Sequence, residues 1–514
     1  MIATPRAAGT ADLERFRLRR FLDELETLGE LERHDEHVAL ADVARILDGS
    51  AKAVLFEAVG PEKAALAGNV LASRRRFAAA FGVAPEKLLG EVLRRLRTPP
   101  QLIEVPRDRA PVQEVVFTGD QVDVTMLPAH VQHAKDGGPY ISAAIDIAVD
   151  PATKLTNVGL RRLMVRGRTE TGIDLVASSD LRTIYRAVAA RRERLPLSIV
   201  VGSHPIDYFA ATMRVPVDEL GLMASLRDAP LPVVKSITND LFVPADAEWV
   251  IEGYLGEEGY IEPEGPYGEF LGYYGGVKTN PVFHVTAITR RSDAIFQTLS
   301  ISGPTMSRTD TAHLTTLRTE VLAWRALENA IREPIAIYAP PATGGVYNVR
   351  VAIRQRFPGE ARNAIAAVFS SLANVKNVFV VDPDIDIFSD EQMEWAFATR
   401  FAPSRDIFVE AGFRASPLDP ALVPGETTGS KAGFDLTIPL SASGGLETQI
   451  PTPPTFEGAR FASIRAALAD GPKYFEALMA AVGSDDGRDV VRELDALRRT
   501  GALGRDEDGR YLLK

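Results

Sequence analysis

Two windows of opposite charge hold side chains whose types and spacing suit chemistry. Residues 252–276 contain Glu252, Glu257, Glu258, Glu262, Glu264 and Glu269, five of the twelve tyrosines, and no Lys or Arg. Within them runs Pro263-Glu-Gly-Pro-Tyr-Gly-Glu269. One reading is an acidic, solvated turn. The other is a rigid loop, in which proline fixes φ, glycine lets backbone approach a ligand and tyrosines form an apolar wall. Two carboxylates on such a loop can share acid and base work if burial raises one pKa from about 4.3 towards neutrality. The second window, residues 157–168, carries Arg161, Arg162, Arg166 and Arg168. These arginines either keep a strand edge soluble or clamp a carboxylate or phosphate bidentately.

Other signatures are weak or missing. His130-Val-Gln-His133 imitates a metal pair, but it lacks the Glu of H-E-x-x-H and follows Pro128, so it reads as a surface loop. No G-x-G-x-x-G, P-loop lysine motif or G-x-S-x-G elbow occurs, which argues against Rossmann, P-loop and serine-hydrolase chemistry. The 514 residues include no cysteine and seven histidines. Disulfides, iron–sulfur clusters, zinc-thiolate sites and cysteine nucleophiles are therefore excluded. Any metal must be held by oxygen or sparse imidazole. A net charge of −11 disfavours nucleic acid as a general partner. The start of the chain shows no signal-peptide pattern and no apolar run is long enough to span a membrane, so a soluble, cytoplasmic protein is expected.

The elements that must position these residues fall into three stretches, as the length suggests at roughly 150 residues per domain. Residues 1–115 read as an N-terminal α/β domain. It opens with an amphipathic helix over 10–29 that stops at Gly29, has an Arg-rich helix near Arg74–Arg76, and ends in a Pro-rich join over 99–111. Residues 116–305 show short alternating runs between Gly and Pro clusters, the pattern of a barrel or sandwich. Residues 306–514 alternate strand and helix. Strands are expected at 346–353, 378–381 and 407–409 and helices at 360–372 and 390–401, which together imply a parallel α/β layer. A charged amphipathic helix is expected over 485–499. The expected class is α/β (α+β).

At these windows the sequence resembles the UbiD family of prenylated-FMN-dependent decarboxylases. The matching stretches are Asp136-Gly-Gly-Pro-Tyr-Ile, Asn157-Val-Gly-Leu-Arg-Arg162, Asn239-Asp-Leu-Phe-Val-Pro-Ala, Glu252-Gly-Tyr, Pro263-Glu-Gly-Pro-Tyr-Gly-Glu269-Phe-Leu-Gly-Tyr and Gly429-Ser-Lys-Ala-Gly. They occur in the family's order and span most of the chain. The resemblance implies a central flavin-binding split β-barrel and a C-terminal α/β domain used in dimerisation.

It also implies roles. Arg162 matches the catalytic arginine, Glu264 its paired carboxylate and Glu269 the general acid. Asn157, Leu160, Arg161, Arg162, Ser178, Glu219 and Lys431 fall at cofactor-binding positions. Asn157 and Glu219 match ligands of a divalent metal, most often manganese, with potassium as a further candidate ion. The family's histidine ligand has no counterpart: residues 176–180 read Val-Ala-Ser-Ser-Asp, which leaves either Ser178 or Asp180 as an oxygen substitute or no replacement and a more weakly held metal. Phe270 and Leu271 are expected to shape the substrate pocket, with Ser300–Met306 lining it.

The implied reaction is non-oxidative, reversible in principle, and releases CO₂ from an aromatic, heteroaromatic or α,β-unsaturated acid. Charge left on an sp² carbon needs an electron sink that no side chain supplies, so prenylated FMN from a partner flavin prenyltransferase is required. A homodimer or higher homo-oligomer is expected. Two other readings are an FMN oxidoreductase, which would not need Arg162, Glu264 and Glu269 together, and a non-catalytic cofactor-binding or assembly homologue, favoured only by the missing histidine.

Overall fold

Alternating apolar residues between positions 140 and 290 form the strands that carry the site. In the computed structural model, which describes residues 6–7, 12–372, 374–423 and 425–514, these strands close into a barrel. Around it run Trp249–Leu255, Leu195–Val201, Tyr140–Val149, Thr156–Val165, Glu170–Ile173 and Val282–Arg290, and the last pairs again with the first. Closure removes free strand edges. Side chains alternate across each strand, so the two faces feed different cores. Leu163, Leu197, Ile199, Ile251 and Phe283 join one cluster. Ile145, Val158, Val200 and Val250 join another, with Tyr208, Phe209, Leu222 and Met223 from the helices Pro205–Thr212 and Glu219–Arg227.

Chain geometry ties the flanking layers to this barrel. The N-terminal sheet orders Leu31–His34, Ala53–Val59 and Ala64–Gly68, and its next strand, Ile295–Gln297, is supplied by the chain just after the barrel. The first helix is shorter than expected, Leu18–Thr27, and Gly29 beyond it takes φ +71°, a conformation glycine adopts without steric cost. The Pro-rich join contains a short strand, Leu102–Glu104, paired parallel with Leu231–Lys235.

The C-terminal layer is mixed rather than purely parallel. Asn348–Ile353, Asn377–Val381 and Thr428–Asp435 are parallel neighbours, while Pro334–Tyr338 and Ile407–Arg414 pair antiparallel at the two edges. The strand Ile407–Arg414 pairs antiparallel with Thr428–Asp435, which follows it in the chain. The helices Asp310–Ala330 and Glu360–Ser371 pack on this layer, and Ile365 and Val368 of the second are fully buried.

The chain divides into two compact units, residues 1–354 with 359–436, and residues 355–358 with 437–514. The stretch 306–514, expected as one domain, is thus cut after Leu436. The second unit has its own small core of Ile464, Leu468, Leu478, Val490 and Leu494. Its charged helix spans Arg488–Arg499. Among the described residues no helix is long and apolar enough to cross a membrane.

Candidate active site

Arg162 lies on the strand Thr156–Val165, opposite a bulge. Leu163 pairs with Ile141 and Arg161 with Ala144, so Ser142 and Ala143 both face the single residue Arg162. Bulges of this kind re-aim a side chain beside a site. Strand alternation sends Arg161 and Arg162 to opposite faces. Their partners differ accordingly. Arg161 Nε is 3.7 Å from Asp146 Oδ1, whereas Arg162 enters the acidic loop.

There Arg162 is gripped by three carboxylates. Its Nε and Nη2 donate to Glu264 Oε1 and Oε2 at 3.0 Å each, a bidentate pair. Its Nη1 donates to Glu269 Oε1 at 2.8 Å, and Nη2 lies 3.0 Å from Asp174 Oδ2. The guanidinium sits 4.6 Å from the centre of the Tyr267 ring. Burial opposes its charge, but Glu264, Glu269 and Asp174 outweigh burial and hold its pKa above the ordinary arginine value.

Lys278 completes the network. Its Nζ donates to Asp174 Oδ2 and to Glu269 Oε1, both at 3.1 Å. Burial pushes the Asp174 pKa up, yet Arg162 and Lys278 win and hold it below the usual aspartate range. Asn280 Nδ2 donates to Glu264 Oε2 at 3.3 Å, and its Oδ1 accepts from Leu175 N. Close approach needs glycine at 137, where a Cβ would lie 2.3 Å from the Gly265 carbonyl oxygen.

The acidic window therefore divides by function. Glu252 accepts from the backbone N–H groups of Ile237 and Thr238, a structural role. Glu257 pairs with Arg194 at the surface. Only Glu264 and Glu269 reach Arg162. Asp174, Lys278 and Asn280 were not singled out in the sequence. Lys278 lies two residues beyond the acidic window, and its basic type there is the only local signal.

A second cluster gathers the proposed cofactor and metal positions. Glu219, at the start of its helix, accepts from Asn157 Nδ2 at 2.8 Å and Val158 N at 2.7 Å. Burial and the nearby Asp180 push its pKa up to about 8 despite those donors. Asn157 Oδ1 is buried without a partner. This pair of oxygens suits a hard divalent cation. Ser178 is exposed, and its carbonyl accepts from Arg214 at 3.4 Å. Among the described residues no group of three or more His, Asp or Glu side chains is arranged to hold a metal. Arg161 and Arg318 each keep a buried Nε without a hydrogen-bond partner, and burial plus Arg214 lower the Arg318 pKa to about 10. Leu160 is half-buried beside Arg161, whose Nη1 donates to its carbonyl.

The remaining expected residues lie on or against the C-terminal layer. Lys431 Nζ donates to the carbonyls of Phe369 and Leu372 at 2.7 and 2.8 Å, at the end of the helix Glu360–Ser371. Leu271 is packed in the C-terminal core and half-buried Phe270 lies against it, so these apolar side chains anchor the loop. The histidine pair is no surface loop. His130 is 3% exposed, and the His133 ring is engaged by Asp136 and the Ser302 carbonyl. The turn is drawn inward because Gln132 Oε1 accepts from the Tyr267 hydroxyl.

This constellation has counterparts in known proteins. Residues 22–96, 103–304 and 312–436 match the N-terminal, Rift-related and C-terminal domains of 3-octaprenyl-4-hydroxybenzoate carboxy-lyase, UbiD. The chain belongs to the UbiD family of decarboxylases. The UbiD-class enzyme HmfF from Pelotomaculum thermopropionicum, solved in complex with FMN, is 34% identical, with 85% of this chain and 97% of that chain covered and a TM-score of 0.79. An evolved dimeric form of HmfF in complex with prFMN is 33% identical over 85% and 97%, TM-score 0.76. A 3,4-dihydroxybenzoic acid decarboxylase from Enterobacter cloacae is 28% identical over 85% and 96%, TM-score 0.78. The Rift-related match, residues 103–304, includes Arg162, Glu264 and Glu269 of this UbiD-family chain.

Proposed function

We propose that this chain releases CO₂ without oxidation from an aromatic, heteroaromatic or α,β-unsaturated carboxylic acid, using prenylated FMN. The observation that carries the reading is the shared grip of Glu264 and Glu269 on Arg162. Glu264 fixes the guanidinium on one edge. The Nη1 edge now held by Glu269 is the one that an incoming carboxylate can take.

The cluster holds two cations, Arg162 and Lys278, and three carboxylates, Asp174, Glu264 and Glu269. A substrate carboxylate adds one more negative charge, and a proton on Glu269 relieves it. After CO₂ leaves, Glu269 delivers that proton to the carbon from which CO₂ departed. Tyr267 and Tyr140, with ring centres 4.3 Å apart, wall the site and limit water.

The flavin supplies the electron sink that the side chains lack. Asn157, Leu160, Arg161, Ser178, Glu219 and Lys431 are the residues proposed to hold it, with a divalent cation, manganese first and potassium as an additional ion, at Asn157 Oδ1 and Glu219. Ser178 or Asp180 completes the protein's oxygen set. A flavin prenyltransferase supplies the cofactor, and the chain works as a homodimer or higher homo-oligomer.

The test is co-production with a flavin prenyltransferase, followed by a CO₂-release screen over aryl, heteroaryl and α,β-unsaturated acids. Release from at least one class supports the reading. No release across the panel from protein carrying matured cofactor overturns it.

A further inference from the structure

The arginines of the basic window part ways in the fold. Arg161 faces Asp146, Arg162 enters the acidic loop, and Arg168 pairs with Asp123 at the surface. Arg166 follows the strand Thr156–Val165, four residues after Arg162, so alternation puts both side chains on one face. Its Nη2 donates to the backbone carbonyl of Pro263, the residue before Glu264. Its Nη1 lies 3.8 Å from Glu262 Oε2, a carboxylate half in solvent, so that ion pair adds little. The carbonyl of Pro263 is the contact of consequence.

That carbonyl belongs to the segment that carries the site. Glu262–Glu264 and Lys278–Asn280 pair into a two-stranded ribbon, and Glu264, Lys278 and Asn280 all stand on it. Two short strands alone are marginally stable, so the ribbon needs outside support. Pro263 brings no N–H to its pairing with Thr279, which weakens the ribbon further. Beyond Glu264, Gly137 N donates to the Pro266 carbonyl at 2.8 Å. Glu264 therefore lies between two anchored carbonyls, with Arg166 holding the first.

Arg166 and Glu264 also run side by side. A Cβ at Gly172 would lie 3.0 Å from Arg166 Nη2 and 3.1 Å from Glu264 Cγ. Both side chains cross the same bare stretch of the strand Glu170–Ile173.

We propose that Arg166 is a positioning residue. It ties the ribbon to the barrel and so sets Glu264 in the bidentate geometry that fixes Arg162. A guanidinium suits the task, because a charged donor strengthens a hydrogen bond to a neutral carbonyl. Arg166 acts through Glu264 and touches neither substrate nor cofactor. Its effect on catalysis rests on the decarboxylase reading, but its effect on the ribbon does not.

The test compares full-length holoprotein with Arg166→Met, which loses the donors, and Arg166→Lys, which keeps a charged one. Thermal melts identify the variants that fold. Arg166→Gln, shorter and uncharged, replaces Arg166→Met if that variant does not. Hydrogen exchange is read by mass spectrometry over residues 262–268 and 278–280. It should speed up at least about tenfold in Arg166→Met, as local opening becomes easier, and recover most of the way in Arg166→Lys. Exchange over the barrel strand Leu195–Val201 should not change. With an acid that the CO₂ screen finds, KM should rise about tenfold and kcat stay within about threefold, because Arg162 is less well aimed at the substrate carboxylate. Loss of folded enzyme would instead lower kcat and leave KM. Unchanged exchange over the ribbon, equal acceleration in Leu195–Val201, no recovery in Arg166→Lys, or a fall in kcat alone overturns the proposal. If no acid releases CO₂, the decarboxylase reading fails and the exchange measurement still decides the role of Arg166.

Discussion

Arg162 Nη1 stands 2.8 Å from Glu269 Oε1, although 107 residues of chain separate them. The same carboxylate oxygen accepts from Lys278 at 3.1 Å. The proposed proton donor is thus restrained by two cations, and substrate must displace Arg162 from it before the proton can move.

Glu269→Gln keeps the shape and the contact with Lys278 but cannot transfer a proton. Turnover should fall about 10²–10⁴-fold, the usual contribution of a positioned acid. Flavin absorbance of the purified variant should match wild type. Near-normal CO₂ release would remove Glu269 from the role.

Lys278→Met leaves Asp174 and Glu269 facing each other with one cation instead of two. The half-buried setting predicts a loss of about 2 kcal/mol, the scale of a charged hydrogen bond, seen as a lower Tm at neutral pH. Lys278→Arg should recover most of it. Because the Asp174 pKa is depressed in the folded protein, the stability it contributes is present above its unfolded value and lost as pH falls through its folded one. The variant's deficit should therefore shrink on acidification. An equal Tm at neutral pH would show that Lys278 does not support the cluster.

Metal content separates the candidate ligands. Elemental analysis of holoprotein should find about one divalent ion per chain on family analogy, with Glu219→Ala and Asn157→Ala both reduced. Asp180→Ala and Ser178→Ala decide which oxygen completes the set, since only the true ligand's removal lowers occupancy. Unchanged content in Glu219→Ala would exclude Glu219.

Acid should destabilise the fold through buried neutral histidines. Burial lowers His313 to about 4 and His204 to about 3, against roughly 6.5 in an unfolded chain. Between about pH 6.5 and 4 the unfolded state binds the extra proton, so stability falls as pH falls, by up to about 1.4 kcal/mol per unit for each group. Asp310, pushed up to about 6 by burial, works in the opposite direction. Comparing slopes cancels it. His313→Gln, which preserves a donor for the Ser307 carbonyl, should show a flatter Tm–pH slope than wild type. Identical slopes would refute the assignment.

The motif residues were legible because their types are locally unusual. A glutamate-rich, Lys- and Arg-free run beside Pro-Glu-Gly-Pro announced Glu264 and Glu269, and Asn-Val-Gly-Leu-Arg-Arg announced Arg162. Period-two patterning announced a strand-rich centre. It could not distinguish a closed barrel from a sandwich, since closure depends on one long-range pairing, Trp249–Leu255 with Val282–Arg290. The edge strand Ile407–Arg414 likewise looked parallel, because pattern records which residues are apolar and not the direction of their neighbour.

The sequence by itself marked Arg162, Glu264 and Glu269 as candidates for one site, through the family motifs in which they fall. Only the tertiary structure decided that Asp174, Lys278 and Asn280 reach Arg162, Glu264 and Glu269, that Leu271 packs in the C-terminal core, and that His130 is buried. The reason is physical. Residue type and short-range spacing are written along the chain, whereas strand register and the bulge opposite Arg162 set which distant side chains come within hydrogen-bonding reach.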